Sequence, residues 1–484
     1  MRSLSGRTGA TARGRESNQS FFTVLVFSYD DEVAMARIIR RPLASKLIWL
    51  VVLTSVGASL RLTAVEQTNV DRPLRADAME YYLTAYNLRH GGIYSRSPGA
   101  LVNPPAKVVP DAYRPPGVPL LIAAVMTQRS GPAEVVHRMQ IINIFLGMAT
   151  VAAIFVAAAA TLPLSAAIVV GLLVACSPHL VSFAVYVLSE TPATFLIAAL
   201  LTISAVALPY RAGTRTAFFL VLGAVIGCLS LFRPAFLAFA PFLALAYPER
   251  RDKWHCLLFG CLGAAIVVAP WFIRNALNVP HTDEPSLLAA TLFEGSYPGF
   301  VYQGNKATFP YGGRSDPIFN AAEKSVALTL KEVATKIGEN PLAMTAWYLF
   351  EKPAYLFQWD NIDGVGDVFI YPIRSTPFRH NELFQTIHGT FYYGHLVVLV
   401  LAIIGAIAAW LPLAKRQLSP DKCPTLRIAS LMLAFVYLVH IPFFVATRYA
   451  VPIFPAIYLL TLFAIVILVS TGLTLIRSQN QPPN

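Results

Sequence analysis

Ten apolar runs, divided by short polar turns and two long polar segments, rule out a water-soluble fold for this chain. They lie near Ser45–Val65, Glu134–Ala159, Leu162–Ser182, Thr191–Leu208, Arg215–Phe232, Ala235–Tyr247, His255–Phe272, Ile387–Leu413, Leu426–Phe444 and Val451–Leu473. A helix needs about 17 to 25 predominantly apolar residues to cross roughly 30 Å of hydrocarbon, and most of the runs reach that length. Ala235–Tyr247 is short, yet the alternation of charge along the chain calls for a crossing there. Backbone inside hydrocarbon must satisfy its own N–H and C=O groups, so the runs predict an all-α polytopic membrane protein with about ten transmembrane helices. Composition agrees, with 56% hydrophobic and 13% charged residues among 484 and a mean hydropathy of +0.56.

Basic clusters set the orientation. ARIIRRPLASK, PYRAGTRT, YPERRDKW, LAKRQLSPDKCPTLR and the tail IRSQNQPPN fall on one side, which the positive-inside bias makes cytoplasmic. The net charge of +12 then follows anionic lipid and calls for no nucleic-acid partner. The expected division is a basic cytoplasmic segment (1–44), an N-terminal transmembrane module (45–273) with a first outer loop at 66–133, a second outer segment (274–386), C-terminal helices (387–476) and a cytoplasmic tail (477–484). The polar stretch before Met35 fits this plan poorly, and MARIIRRPLASKLIWL reads as a natural basic lead into the first span, so translation is expected to begin at Met35. Cys176, Cys228, Cys256 and Cys261 fall in or at the edges of spans and Cys423 in a cytoplasmic loop, so no outer-face disulfide is expected.

The chemistry-bearing residues gather on the outer side. Asp77 and Glu80 open DAMEYYLTAYNLRH, whose helical spacing puts Met79, Leu83 and Tyr86 on one stripe and Asp77, Glu80, Tyr81 and Thr84 on another, as in an interfacial helix with its acids turned to water or a cavity. The same pair fits a plain helix cap, Asp77 at the N-cap and Glu80 three residues on, and the residues alone do not choose. Arg114 and its Pro-Pro-Gly lead a dozen apolar residues too short to cross. Glu190, Arg233, Arg448 with Tyr449, and Arg274 with Asn275 lie at outer ends of spans on the side of Asp77, where charge at membrane depth tends to be functional. The second outer segment carries helical periodicity suited to one or two surface helices, after a Gly-, Pro- and Tyr-rich run (SYPGFVYQGNKATFPYGGRSDP) of the kind that covers an acceptor site. His380, His388 and His395 are too sparse for a metal site.

In this order, the acidic first-loop helix, RPPGVPLL, SPHLVSFAVYVLSE, SLFRPAFLAFAP, VVAPWFIRNAL and TRYAVPIFPAIYLL resemble the GT-C superfamily of integral membrane glycosyltransferases. The branch it resembles holds protein O-mannosyltransferases, lipid A aminoarabinose transferases and transferases that decorate rhizobial lipopolysaccharide. The resemblance implies a polyprenyl-phosphate sugar donor, an envelope glycan, lipid or protein acceptor, and a site on the outer face of the inner membrane. It implies Asp77 as base, although relatives often carry adjacent acids where Asp77 and Glu80 stand apart here. Whether Asp77 or Glu80 is the base, and whether a divalent metal is held, are left open. General-base help of this kind is typically worth ~10² to 10⁴ in rate. Arg114, Arg448, Arg233 and Arg274 are the expected phosphate contacts, with Tyr81, Glu190 and Tyr449 lining the substrate pocket. An envelope polysaccharide polymerase or ligase is the alternative; a transporter fits less well, for want of internal repeats or a mid-membrane acid.

Overall fold

The computed structural model of the protein describes residues 29–101, 107–206, 214–279, 285–298, 316–359, 371–412 and 423–479. The chain divides into two units, Met1–Leu47 and Ile48–Asn484, and the site lies within the second. The polar stretch 1–28 and the Gly-, Pro- and Tyr-rich residues 299–315 fall outside the described residues.

The protein is an all-α polytopic membrane protein. Among the described residues, seven helices are long and apolar enough to cross a membrane: Leu43–Gln67, Pro132–Thr161, Arg215–Phe232, Arg250–Asn278, Glu382–Ala408, Cys423–His440 and Thr447–Gly472. Three of the ten expected spans come out shorter, and proline explains two of them. Leu162–Ser182 is broken into Leu164–Cys176 and a turn of helix at Pro178–Ser182, because Pro178 has no N–H to continue the ladder. Ala235–Tyr247 becomes two 3₁₀ turns, Pro234–Phe239 and Pro241–Ala246, each opened by its proline. The third, Glu190–Val206, has 17 residues, at the lower limit for crossing.

The last span is the most enclosed, with 72% of its apolar stretch buried against 17% for the first, so it forms the centre of the bundle. Neighbouring helices meet backbone to backbone. A Cβ at Gly223 would sit 1.9 Å from the Gly260 carbonyl oxygen, so the crossing of Arg215–Phe232 with Arg250–Asn278 depends on that missing methyl. Arg61, hidden within the first apolar run, is 1% exposed and donates to the carbonyls of Gly57, Val174 and Ala175. It thereby caps the C-terminus of Leu164–Cys176, where orphan carbonyls and the helix dipole favour a cation.

The two long segments between spans interlock. We label the first-loop helices α1 (Ala76–Gly91) and α2 (Gly117–Val125) and the paired strands β1 (Asn69–Val70) and β2 (Ile373–Ser375). β1 and β2 run antiparallel, with Asn69 opposite Ser375 and Val70 opposite Ile373. α1 differs from the expected interfacial helix. Met79 is 38% exposed, whereas Tyr81, Tyr82, Leu83, Thr84 and Ala85 are all buried, so the helix is enclosed on several sides rather than laid flat on one apolar stripe.

Candidate active site

A cavity of about 170 Å³ opens where α1, the start of α2 and the ends of three spans converge. Asp77, Arg114, Glu190, Arg233, Arg448 and Tyr449 are among the residues lining it, and Tyr81, Ser189 and His440 join them. The volume lies below the ~300 Å³ at which drug-sized ligand sites begin, so a small polar group fits inside and the rest of any larger molecule stays out.

The charged side chains form one alternating chain. Arg96 Nη1 lies 3.4 Å from Glu80 Oε1, and the other Glu80 oxygen accepts from Arg114 Nε. Arg114 Nη2 donates to Asp77 Oδ1 at 2.7 Å, and Arg448 Nη2 donates to Asp77 Oδ2 at 2.6 Å. Arg448 Nε stands 3.9 Å from Glu190 Oε1, which accepts from Arg233 Nη2 at 2.8 Å. Residues far apart in sequence thus form a continuous network, in which four guanidiniums face three carboxylates.

This geometry decides against Asp77 as a helix cap. The N-cap of α1 is Arg75, no side chain caps it, and both Asp77 oxygens are engaged by arginines instead. Burial by itself raises the carboxyl's pKa, but the guanidiniums of Arg114 and Arg448 outweigh it and hold Asp77 well below the usual carboxylate range. Burial pushes the Tyr81 phenol up to about 12, so it stays protonated as a hydrogen-bond donor. Its ring lies under Arg114, 5.6 Å from ring centroid to guanidinium carbon, and Tyr449 stacks with Arg233 at 5.2 Å.

Several local devices aim these groups. Ala76 has φ 45°, a left-handed conformation costly for a residue with a side chain, directly before Asp77. Tyr371, 1% exposed and from the second outer segment, spans that strained residue: its hydroxyl donates to Arg75 O (3.0 Å) and accepts from Ala78 N (3.2 Å). Gly117 allows α2 to abut the end of Arg215–Phe232, where a Cβ would meet the Phe232 ring at 2.6 Å. Arg114, just before α2, and Arg233, just after Phe232, both line the cavity. Lys352, also 1% exposed, donates to Ile441 O and Phe443 O at 2.8 and 2.9 Å and holds the strap joining His440 to Arg448. Burial pushes its amine down to about 7.

Arg274 stands apart from this cavity. Its guanidinium donates to the carbonyls of Asp111 and Tyr94, at 2.6 and 2.9 Å, and does not line the cavity. It fastens the first outer loop. Arg96, Ser189, Tyr371, His440 and Lys352 were not singled out from sequence. Tyr371 acts 293 residues from Ala78, a separation that no local pattern registers.

The donor set does not suit a divalent cation. Both Asp77 oxygens and both Glu80 oxygens face arginines, which would repel a metal held there. Among the described residues no group of three His, Cys, Asp or Glu side chains is placed to hold one.

No family model and no curated protein matches the chain. Among solved structures it is similar to the archaeal oligosaccharyltransferase AglB from Archaeoglobus fulgidus in complex with an inhibitory peptide and a dolichol-phosphate (14% identity over 91% of this chain and 52% of that one, TM-score 0.49). It is also similar to ArnT from Cupriavidus metallidurans bound to undecaprenyl phosphate (13% identity, 81% and 77% covered, TM-score 0.38). The chain spans about half the length of the archaeal protein. Identity and TM-score are too low for either likeness to bear on function.

Proposed function

We propose that the protein is an inverting membrane glycosyltransferase of the GT-C type, moving a sugar from a polyprenyl-phosphate donor to a hydroxyl of an envelope glycan, lipid or protein on the outer face of the inner membrane. The observation that carries this reading is a half-buried carboxylate, Asp77, set between two guanidiniums in a small cavity that a third guanidinium, Arg233, also lines. Arginine suits bidentate contact with phosphate, and three arginines around one cavity supply the charge that a departing phosphate requires.

In the proposed step the acceptor oxygen attacks the anomeric carbon opposite the phosphate. Asp77 takes the hydroxyl proton, the new C–O bond forms, and the bond to phosphate breaks with its electron pair leaving on the lipid phosphate. Asp77 is preferred over Glu80 because it lines the cavity, whereas Glu80, with 28% of its side chain exposed, is bound outside it by Arg96 and Arg114. Arg114, Arg448 and Arg233 are the proposed phosphate contacts, with Tyr81, Glu190 and Tyr449 beside them.

An apolar groove of about 580 Å³ adds support for a lipid substrate. It is lined by Phe357, Leu399, Ile403, Leu433 and Tyr437. An isoprenoid chain suits such a surface.

The test is transfer by purified protein from a panel of polyprenyl-phosphate sugars to envelope acceptors, with Asp77→Asn and Glu80→Gln beside the parent. Loss of transfer in Asp77→Asn, with the fold and donor binding intact, is the expected result. Parent-level transfer by Asp77→Asn would overturn the base assignment, and no transfer by the parent with any donor would overturn the reading itself.

A further inference from the structure

A carboxylate whose two oxygens both accept charge-assisted hydrogen bonds is a poor base, because the guanidiniums stabilise its ionised form over its protonated one. Asp77 is in that position, with Arg114 on one oxygen and Arg448 on the other. For Asp77 to accept a proton, at least one guanidinium must move away. A buried guanidinium left without an acid is costly, so it needs another partner ready.

The network provides one on each side. Arg114 is already bonded to Glu80, and Arg448 stands 3.9 Å from Glu190. Glu190 is 1% exposed, and its Oε2 has no hydrogen-bond partner. Either arginine can therefore turn from Asp77 without losing every carboxylate. The chain also carries one more guanidinium than carboxylates, so a single anionic group entering the cavity brings it to balance.

We infer that the donor phosphate releases the base: on entering the cavity it draws Arg114 and Arg448 from Asp77, which becomes a proton acceptor only while a lipid phosphate is bound. This rests on the proposed glycosyl transfer and adds an order to it, donor before chemistry. Charge balance holds through the step, since the phosphate gains one negative charge as the bond to the sugar breaks, and the proton arriving on Asp77 removes one. When the lipid phosphate leaves, the two arginines return to Asp77 and the proton departs. An acceptor hydroxyl that arrives alone finds no base.

The experiment measures binding of a polyprenyl monophosphate to the full-length protein in detergent, for the parent and for Asp77→Asn. The expected result is binding by both, tighter in Asp77→Asn by about tenfold or more, the equivalent of ~1.4 kcal/mol, because the arginines no longer have to leave a carboxylate. Equal or weaker binding by the variant would overturn the handover while leaving a donor site in place; binding by neither would remove the glycosyl-transfer reading and the handover together. Loss of a nearby negative charge could tighten binding by itself, and Asp77→Asn could fail to fold, so a second readout uses the parent alone. Carbodiimide labelling of Asp77, followed by peptide mass spectrometry, should accelerate severalfold when the lipid monophosphate is added, since the freed carboxyl protonates more readily. Unchanged or slower labelling would overturn the inference even if the variant binds more tightly.

Discussion

Breaking the Glu190–Arg233 pair tests whether the charged network also holds the site together. The two side chains are 2% and 12% exposed and 2.8 Å apart, which at an effective permittivity of ~20 corresponds to about 6 kcal/mol of attraction before desolvation is counted. Removing one partner of a buried pair typically costs ~3 to 5 kcal/mol net. The two single variants should differ. Arg233→Gln leaves Glu190 with Arg448 at 3.9 Å, an attraction of about 4 kcal/mol on the same scale, so its cost falls near the lower end. Glu190→Gln leaves Arg233 without its acid and facing Arg448, so its cost falls near the upper end. The double variant removes both charges and should cost less than the two singles added, by at least about 1.5 kcal/mol. Unfolding free energies from denaturing-detergent titration in mixed micelles, arranged as a double-mutant cycle, measure this. Additivity within about 0.5 kcal/mol would refute the coupling and, with it, the view of the network as one electrostatic unit.

Two further outcomes follow from single contacts. Gly117→Ala places a methyl 2.6 Å from the Phe232 ring and 2.8 Å from Leu231 O, so it should destabilise by ~1 to 3 kcal/mol and slow transfer by displacing Arg114; a parent-like thermal midpoint together with parent-like transfer would show that the contact has slack. Asp77 titrates well below its unfolded value of 3.8, so its ion pairs stabilise the fold above that pH and are lost as pH falls through the folded value. The gap in thermal midpoint between parent and Asp77→Asn should therefore be full at neutral pH and shrink below about 3.8, whereas a constant gap down to the lowest tolerated pH would contradict the assignment.

What could be read from sequence divides along physical lines. Arg215–Phe232 was legible to the residue because charge ends the apolar run at both sides. Ala235–Tyr247 and Leu162–Ser182 are not continuous helices: hydropathy does not register the missing N–H of Pro178, Pro234 and Pro241, which break the apolar runs. The shared sidedness of Asp77, Arg114, Glu190, Arg233 and Arg448 did foreshadow a meeting, since topology puts outer span ends on one plane. Depth and azimuth within that plane are set by packing, which is why Arg274 lies on the expected side yet fastens Tyr94 and Asp111 instead. Reading α1 as amphipathic assumed one covered face, an assumption that fails where a distant segment supplies the second cover. Arg61 was invisible for a related reason: a lone cation in an apolar run gives no hint that carbonyls more than a hundred residues away will receive it.

The short pairing of β1 with β2, together with the Tyr371 hydroxyl across Arg75 and Ala78, has a consequence for redesign. A chimaera that swaps the second outer segment for that of another transferase, to change the acceptor, also removes the fastening of the helix that carries Asp77. Such a graft should retain Tyr371 and the strand 373–375, or bring a matching first-loop edge at 69–70. On the proposed reading, exchanges in that segment are tolerated only where residues 371–375 stay in place.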